Sequence, residues 1–130
     1  MLIKVIDISE ENGMTIVTAE CDIGRIRGVW HFHEAPVTGK SYQTELAFNA
    51  NEPIDGSSIE VLKSGSSGIS TDGKVNVFTA EIEDIDEIYY LRFSYDGLSM
   101  LDISDPPAIN IGDYIRFAVE CGRTGIYPYL

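Results

Sequence analysis

The chain has 130 residues, 44% of them hydrophobic, and carries 21 acidic against 9 basic side chains for a net charge of −12. That length suits one domain able to bury a core without staples, and aromatic and β-branched residues throughout argue against disorder. The charge speaks against nucleic acid as a partner, since phosphate binding needs clustered Lys and Arg, and points to cationic partners or to none.

The first residues, MLIKVIDISE, hold an apolar run broken at Asp7 and no small-residue cleavage site, so no signal peptide is expected. No run approaches the ~18 apolar residues of a membrane span. Cys21 and Cys121 do not form a disulfide framework, and without a leader the expected location is cytoplasmic. Both cysteines are read as small apolar side chains in strands.

Helical periodicity is missing and period-two alternation recurs, so strands are expected. Residues 2–8 form the first; Asn12-Gly13, a strong hairpin signal, turns it into 14–21. Asp22-Ile23-Gly24 marks a bulge or corner. Strand 25–33 (RIRGVWHFH) presents Ile26, Gly28, Trp30 and Phe32 to the core and Arg25, Arg27, Val29, His31 and His33 to the other, cationic face. A loop through Pro36 and Gly39 leads to strand 42–48, followed by a loop over 49–57 and a short strand 58–63.

Ser64-Gly65-Ser66-Ser67-Gly68 reads as flexible but too short to divide domains. Asp72-Gly73 precedes strand 75–83, and strand 88–95 has Tyr89, Leu91, Phe93 and Tyr95 on one face. Asp96-Gly97 turns into 98–103, Asp105-Pro106-Pro107 ends that strand, and 113–121 and a terminal strand IYPY complete the chain. Nine to ten short strands make an all-β antiparallel barrel or sandwich. Core parity assigns Trp30, Tyr42, Phe48, Phe78, Tyr89, Phe93 and Phe117 to the interior and leaves Tyr90, Tyr114, Tyr127 and Tyr129 exposed. One phrase recurs, Pro36-x-x-Gly39-Lys-Ser-Tyr42 and Pro107…Gly112-Asp-Tyr114. It is read either as a duplicated half-barrel or as the similar lead-in turns of any antiparallel sheet.

The segment from about Val75 to Tyr129, with its strand pair VNVFTAEIEDIDEIYYLRFSY, its hairpin to LSMLDIS and the turn INIGDYIRFAVE, resembles the OB-fold in layout. It is also similar to short, acidic, uncharacterised bacterial proteins with the pattern E-x-I-x-x-ID-x-x-x-YLR, some of which look like immunity proteins of toxin systems. The resemblance implies a small barrel and, for the immunity-like relatives, neutralisation of a basic toxin domain. It does not bring the oligonucleotide-binding surface of OB-folds, which needs basic residues with stacking aromatics.

Two constellations stand out. Glu81, Glu83, Asp84, Asp86 and Glu87 place five carboxylates in seven residues, a candidate docking surface for a basic protein or a solvated connection between strands. Arg25, Arg27, His31 and His33 form a cationic stripe, either a ligand face or one paired with neighbours such as Gln43 and Glu45 on the next strand. His31 and His33 lack the further His that a metal site of this kind needs, and the acidic run lacks a calcium-loop pattern, so neither metal nor other cofactor is expected. No nucleophile elbow or phosphate-cradling loop is present. The leading expectation is a non-enzymatic, acidic protein-binding module, and the alternative is a small-ligand-binding barrel using the cationic stripe or the barrel mouth.

Overall fold

Alternation writes the strands. In the computed structural model, which describes residues 1–129, Tyr42, Thr44 and Leu46 of β4 (Ser41–Ala47) turn inward while Ser41, Gln43 and Glu45 face out. In β12 (Tyr114–Glu120), Ile115, Phe117 and Val119 do the same. The described residues hold thirteen strands, three one-turn 3-10 helices and no α-helix. None of the helices is long and apolar enough to cross a membrane.

The remaining predicted strands are β1 (Leu2–Glu11), β2 (Met14–Cys21), β3 (Gly24–Trp30), β6 (Glu60–Leu62), β8 (Val75–Ile85), β9 (Tyr89–Ser94), β10 (Gly97–Leu101) and β13 (Gly125–Tyr129). The additional ones are β5 (Ile54–Asp55), β7 (Gly68–Thr71) and β11 (Ile103–Ser104), too short to show a period of two. β9 ends before Tyr95, which is fully exposed in the turn instead of sharing the inward face of Leu91 and Phe93.

Five strands close a ring in the order β1-β2-β3-β13-β4 and back to β1. Only the β3–β13 pair is parallel, with Ile126 opposite Trp30. This is a small β-barrel consistent with an OB-like one. The segment from Val75 onward contributes β13 to this ring and places its other strands beside it.

Those other strands repeat the same plan, and the pairing registers show it. Lys4 and Ile3 of β1 face Ser41 and Tyr42 of β4, as Glu81 and Ala80 of β8 face Tyr114 and Ile115 of β12. Val5 exchanges hydrogen bonds with the first lead-in turn: its N–H donates to Lys40 O (3.0 Å) and its carbonyl accepts from Gly39 N (2.7 Å). Ile82 does the same with the second, donating to Asp113 O (2.7 Å) and accepting from Gly112 N (2.8 Å). Both glycines are left-handed, with φ of 87° and 92°. The next residue bulges in both hairpins, Ile6 between the Val5–Ala19 and Asp7–Thr18 pairs and Glu83 between the Ile82–Leu91 and Asp84–Tyr90 pairs.

The fifth strands complete the correspondence. β5 runs parallel to β11, Ile54 opposite Ile103, and β6 then runs antiparallel to β12. β5 and β6 thus occupy for β8–β12 the place that β13 occupies for β1–β4. The chain after β4 serves the second ring and the chain after β12 serves the first, so the halves exchange their last strands. The recurring phrase in the sequence marks this duplication of structure. Its glycines are equivalent and its tyrosines are not: Ser41, not Tyr42, corresponds to Tyr114, which explains why Tyr42 is buried and Tyr114 half-exposed.

One contiguous core joins the halves. Phe48 of the first meets Phe78 and Phe117 of the second edge to face, with centroids 4.9 and 5.2 Å apart. Asn76, fully buried on β8, accepts from Arg27 N (3.1 Å) and donates to Arg27 O (2.7 Å) and Thr124 Oγ1 (3.0 Å), standing in for a strand partner between β3 and β8. Cys121 is buried beside it, Cys21 is half-buried, and both are free thiols. Burial raises the Cys21 pKa.

Asp113 locks the second lead-in turn. Its carboxylate accepts from Asn110 N (2.9 Å) and pairs with Lys63 (3.0 Å). These bonds, the Asn110 amide first, hold its pKa below the ordinary carboxylate range. A depressed folded-state pKa contributes stability that is present above the unfolded value of about 3.9 and is lost as pH falls through the folded value. Unfolding free energy should therefore drop more steeply below about pH 4 in the native chain than in Asp113→Asn, measured by urea titration. Equal slopes would show that Asp113 stores none of the acid sensitivity.

Candidate functional site

The cationic stripe is consumed inside the fold. β3 lies next to β2 rather than β4, so its basic residues meet the carboxylates of the β1–β2 hairpin and not Gln43 or Glu45. Arg25 pairs with Glu20 and Arg27 with Glu11, each at 2.6 Å. Arg27 also donates to Gly73 O and Ser9 Oγ. The Glu11 bond is the chief reason its pKa rises. The strand ends at Trp30, so His31 and His33 leave the stripe. His31 lies flat on Tyr127 (4.4 Å between centroids, 6° between planes), and His33 sits 3.7 Å from Glu34. The face is not uniformly polar either, because Val29 is buried there.

The acidic run divides. Glu81 is half-buried beside the Tyr114 hydroxyl, which donates to it at 3.5 Å. Glu83, on the bulge, forms a two-pronged pair with Arg92 through Oε1 and Oε2, both at 2.8 Å. Asp84 accepts from Ile85 N. Asp86 and Glu87 stand exposed in the β8–β9 turn and make no side-chain hydrogen bond or ion pair among the described residues. All five arginines are paired with carboxylates, as is Lys63, and none of these pairs involves Asp86 or Glu87.

A cleft outside both constellations gathers residues from distant parts of the chain. It measures about 260 Å3 and lies over the outer face where β3, β13 and β4 meet. Val29, Ala47 and Tyr127 line it, with Asn51 and Arg123 at its rim. The rim is an unusual backbone: Asn49, Ala50 and Asn51 all have positive φ, 54°, 52° and 66°, forming one left-handed turn. Such conformations cost about 1–3 kcal/mol each outside glycine, somewhat less for Asn, and gather at binding sites. Arg123 holds the turn, donating to Asn49 Oδ1 (2.9 Å) and Asn49 O (3.0 Å) and pairing with Glu52 (2.9 Å).

Two further hollows continue from the cleft. One, of about 330 Å3, shares Ala47, Asn51 and Tyr127 with it and adds Glu45 and Met100. The other, of about 150 Å3, shares Asn51 and Met100 and reaches Ile88, Glu52 and Asp102. Sequence reading flagged Tyr127 as exposed and His31 as cationic, yet no local pattern pointed to Asn51, Arg123, Ala47 or Met100. Arg123 reaches Ala47 and Asn51 because β13 returns to the first ring, and Met100 reaches them because β10 packs against β4.

The chain matches none of the family models, curated proteins or solved structures with which it was compared.

Proposed function

We propose that this protein is a non-enzymatic module that binds a basic protein partner, with neutralisation of a basic toxin domain as the specific form its resemblance to immunity proteins implies. One observation carries the reading: every arginine and Lys63 is already paired within the fold, while the β8–β9 tip keeps Asp84, Asp86 and Glu87 facing outward. In a chain of net charge −12, such a tip draws cationic surfaces and raises association rates. Glu83 is left out of the docking set because Arg92 already occupies it.

The test replaces Asp84→Asn, Asp86→Asn and Glu87→Gln together. The fold should stand and stability hold or rise slightly, since like charges at close range repel. Capture of a basic protein from native cell lysate should fall several-fold against the parent, mainly through a slower on-rate, and its loss with added salt should flatten. Undiminished capture by the triple variant would return the tip to a solvated connection and move the function to a small-ligand-binding barrel. In that case the cleft beneath Tyr127 would be the place for the ligand, because Arg25 and Arg27 are tied to Glu20 and Glu11.

A further inference from the structure

The duplication supplies an internal control for the cleft. The residues that line it on the first ring have counterparts at the same backbone positions of the second ring. The registers equate Val29 with Asp102, His31 with Ser104, Ala47 with Glu120 and Tyr127 with Asp55. All four counterparts are exposed and polar. The strand arrangement therefore does not require apolar side chains at these first-ring positions, and the apolar lining they give the cleft needs a reason outside folding.

The three hollows form one groove, since Asn51 lines all of them and Tyr127, Ala47 and Met100 bridge neighbours. It runs from Val29 past Asn51 to Ile88 and opens to solvent, which suits an extended chain. Its floor is apolar, with Met100 60% exposed and Tyr127 37% exposed. Its rim is acidic: Glu45, Glu52 and Asp102, with the one cation, Arg123, held by Glu52. The Asn51 side chain makes no hydrogen bond among the described residues, and Asn51 lines all three hollows. Ile88, next to Glu87, places the far end beside the acidic tip.

We infer that this groove takes an extended polypeptide segment of a basic protein in which apolar and cationic side chains alternate. The inference rests on the proposed function and locates its contact. Along an extended chain side chains point alternately to opposite sides. Apolar ones would enter the floor between Tyr127 and Met100, and Lys or Arg would reach Glu45 and Asp102, since Glu52 is taken by Arg123.

Two synthetic nonapeptides test it, one alternating lysine with leucine and one alternating lysine with serine. Both have the same charge, so the acidic surface alone cannot tell them apart. The lysine–leucine peptide should bind at least tenfold more tightly, with amide shifts in the NMR spectrum at Ala47, Asn51, Met100 and Tyr127. Ala47→Gln with Met100→Ser should weaken it at least tenfold and leave the lysine–serine peptide unaffected. The fold should survive both changes, because the position equivalent to Ala47 carries Glu120 and Met100 is mostly exposed. Equal binding of the two peptides, with shifts confined to residues 84–87, would overturn the groove while sparing the acidic reading. Lysine–leucine binding that ignores the double variant, or no binding of either peptide, would also overturn it.

Discussion

Gly24→Ala should lose about 3–5 kcal/mol of folding free energy, enough to unfold a large share of a domain of ordinary stability. Gly24 has a φ of 143°, a region that side chains other than hydrogen rarely enter, and an added Cβ would lie 1.8 Å from the Ile69 carbonyl oxygen. That oxygen belongs to β7, which pairs with β3 through Gly24 alone, Ile69 N–H donating to Ile23 O at 3.0 Å. The methyl group thus meets rigid backbone on both sides of the joint between the rings. Gly13→Ala is the control: its φ is 77° and nothing lies within 4 Å of the added carbon, so strain alone should cost about 1–2 kcal/mol. Urea unfolding followed by circular dichroism compares the two. Equal losses would mean the β3–β7 joint yields without penalty.

Trp30→Ala should cost a similar amount, about 3–5 kcal/mol, as large aromatic truncations in cores do. Trp30 is 7% exposed, packs edge to face on Tyr42 with centroids 4.9 Å apart, and donates its indole N–H to Glu34 O at 2.8 Å. Trp30→Phe keeps much of the apolar volume and leaves only that carbonyl unmet, a loss of about 1–3 kcal/mol. As the single tryptophan, it also reports on itself. Native emission should be blue-shifted and shielded from iodide. Red-shifted, readily quenched emission would place the ring outside the barrel and reverse the inward parity of β3.

The candidate site was less legible than the fold. Exposure of Tyr127 and Tyr129 and the charged character of Glu83, Asp86 and Glu87 follow from residue type and parity. Whether a charge is free depends on its neighbours. Glu83 and Arg92 look like independent surface residues in the sequence, yet the β8–β9 hairpin sets them side by side. Chain order sets Arg25 and Arg27 against β4, whereas in the sheet β3 lies beside β2 and β13. The groove had little signal. Its residues are scattered from Met14 to Tyr127, and only the left-handed Asn49–Asn51 turn hints at it, through asparagines that tolerate positive φ.

The sequence by itself determined the all-β class, the position of nearly every long strand and most of the inward aromatics, Tyr95 and the half-buried Phe32 being exceptions. These follow from period-two alternation and from glycine at turns, both local properties of the chain. Even the duplication surfaced locally, as glycines at 39 and 112 that each turn the chain into a strand. The tertiary structure alone decided which strand lies beside which: the exchange of β13 for β5 and β6, the single-residue joint at Gly24 and the bridge made by Asn76. Alternation says which face of a strand is apolar and is silent about which edge it shares. Edge partners are chosen by the packing of one common core, to which both halves contribute at once.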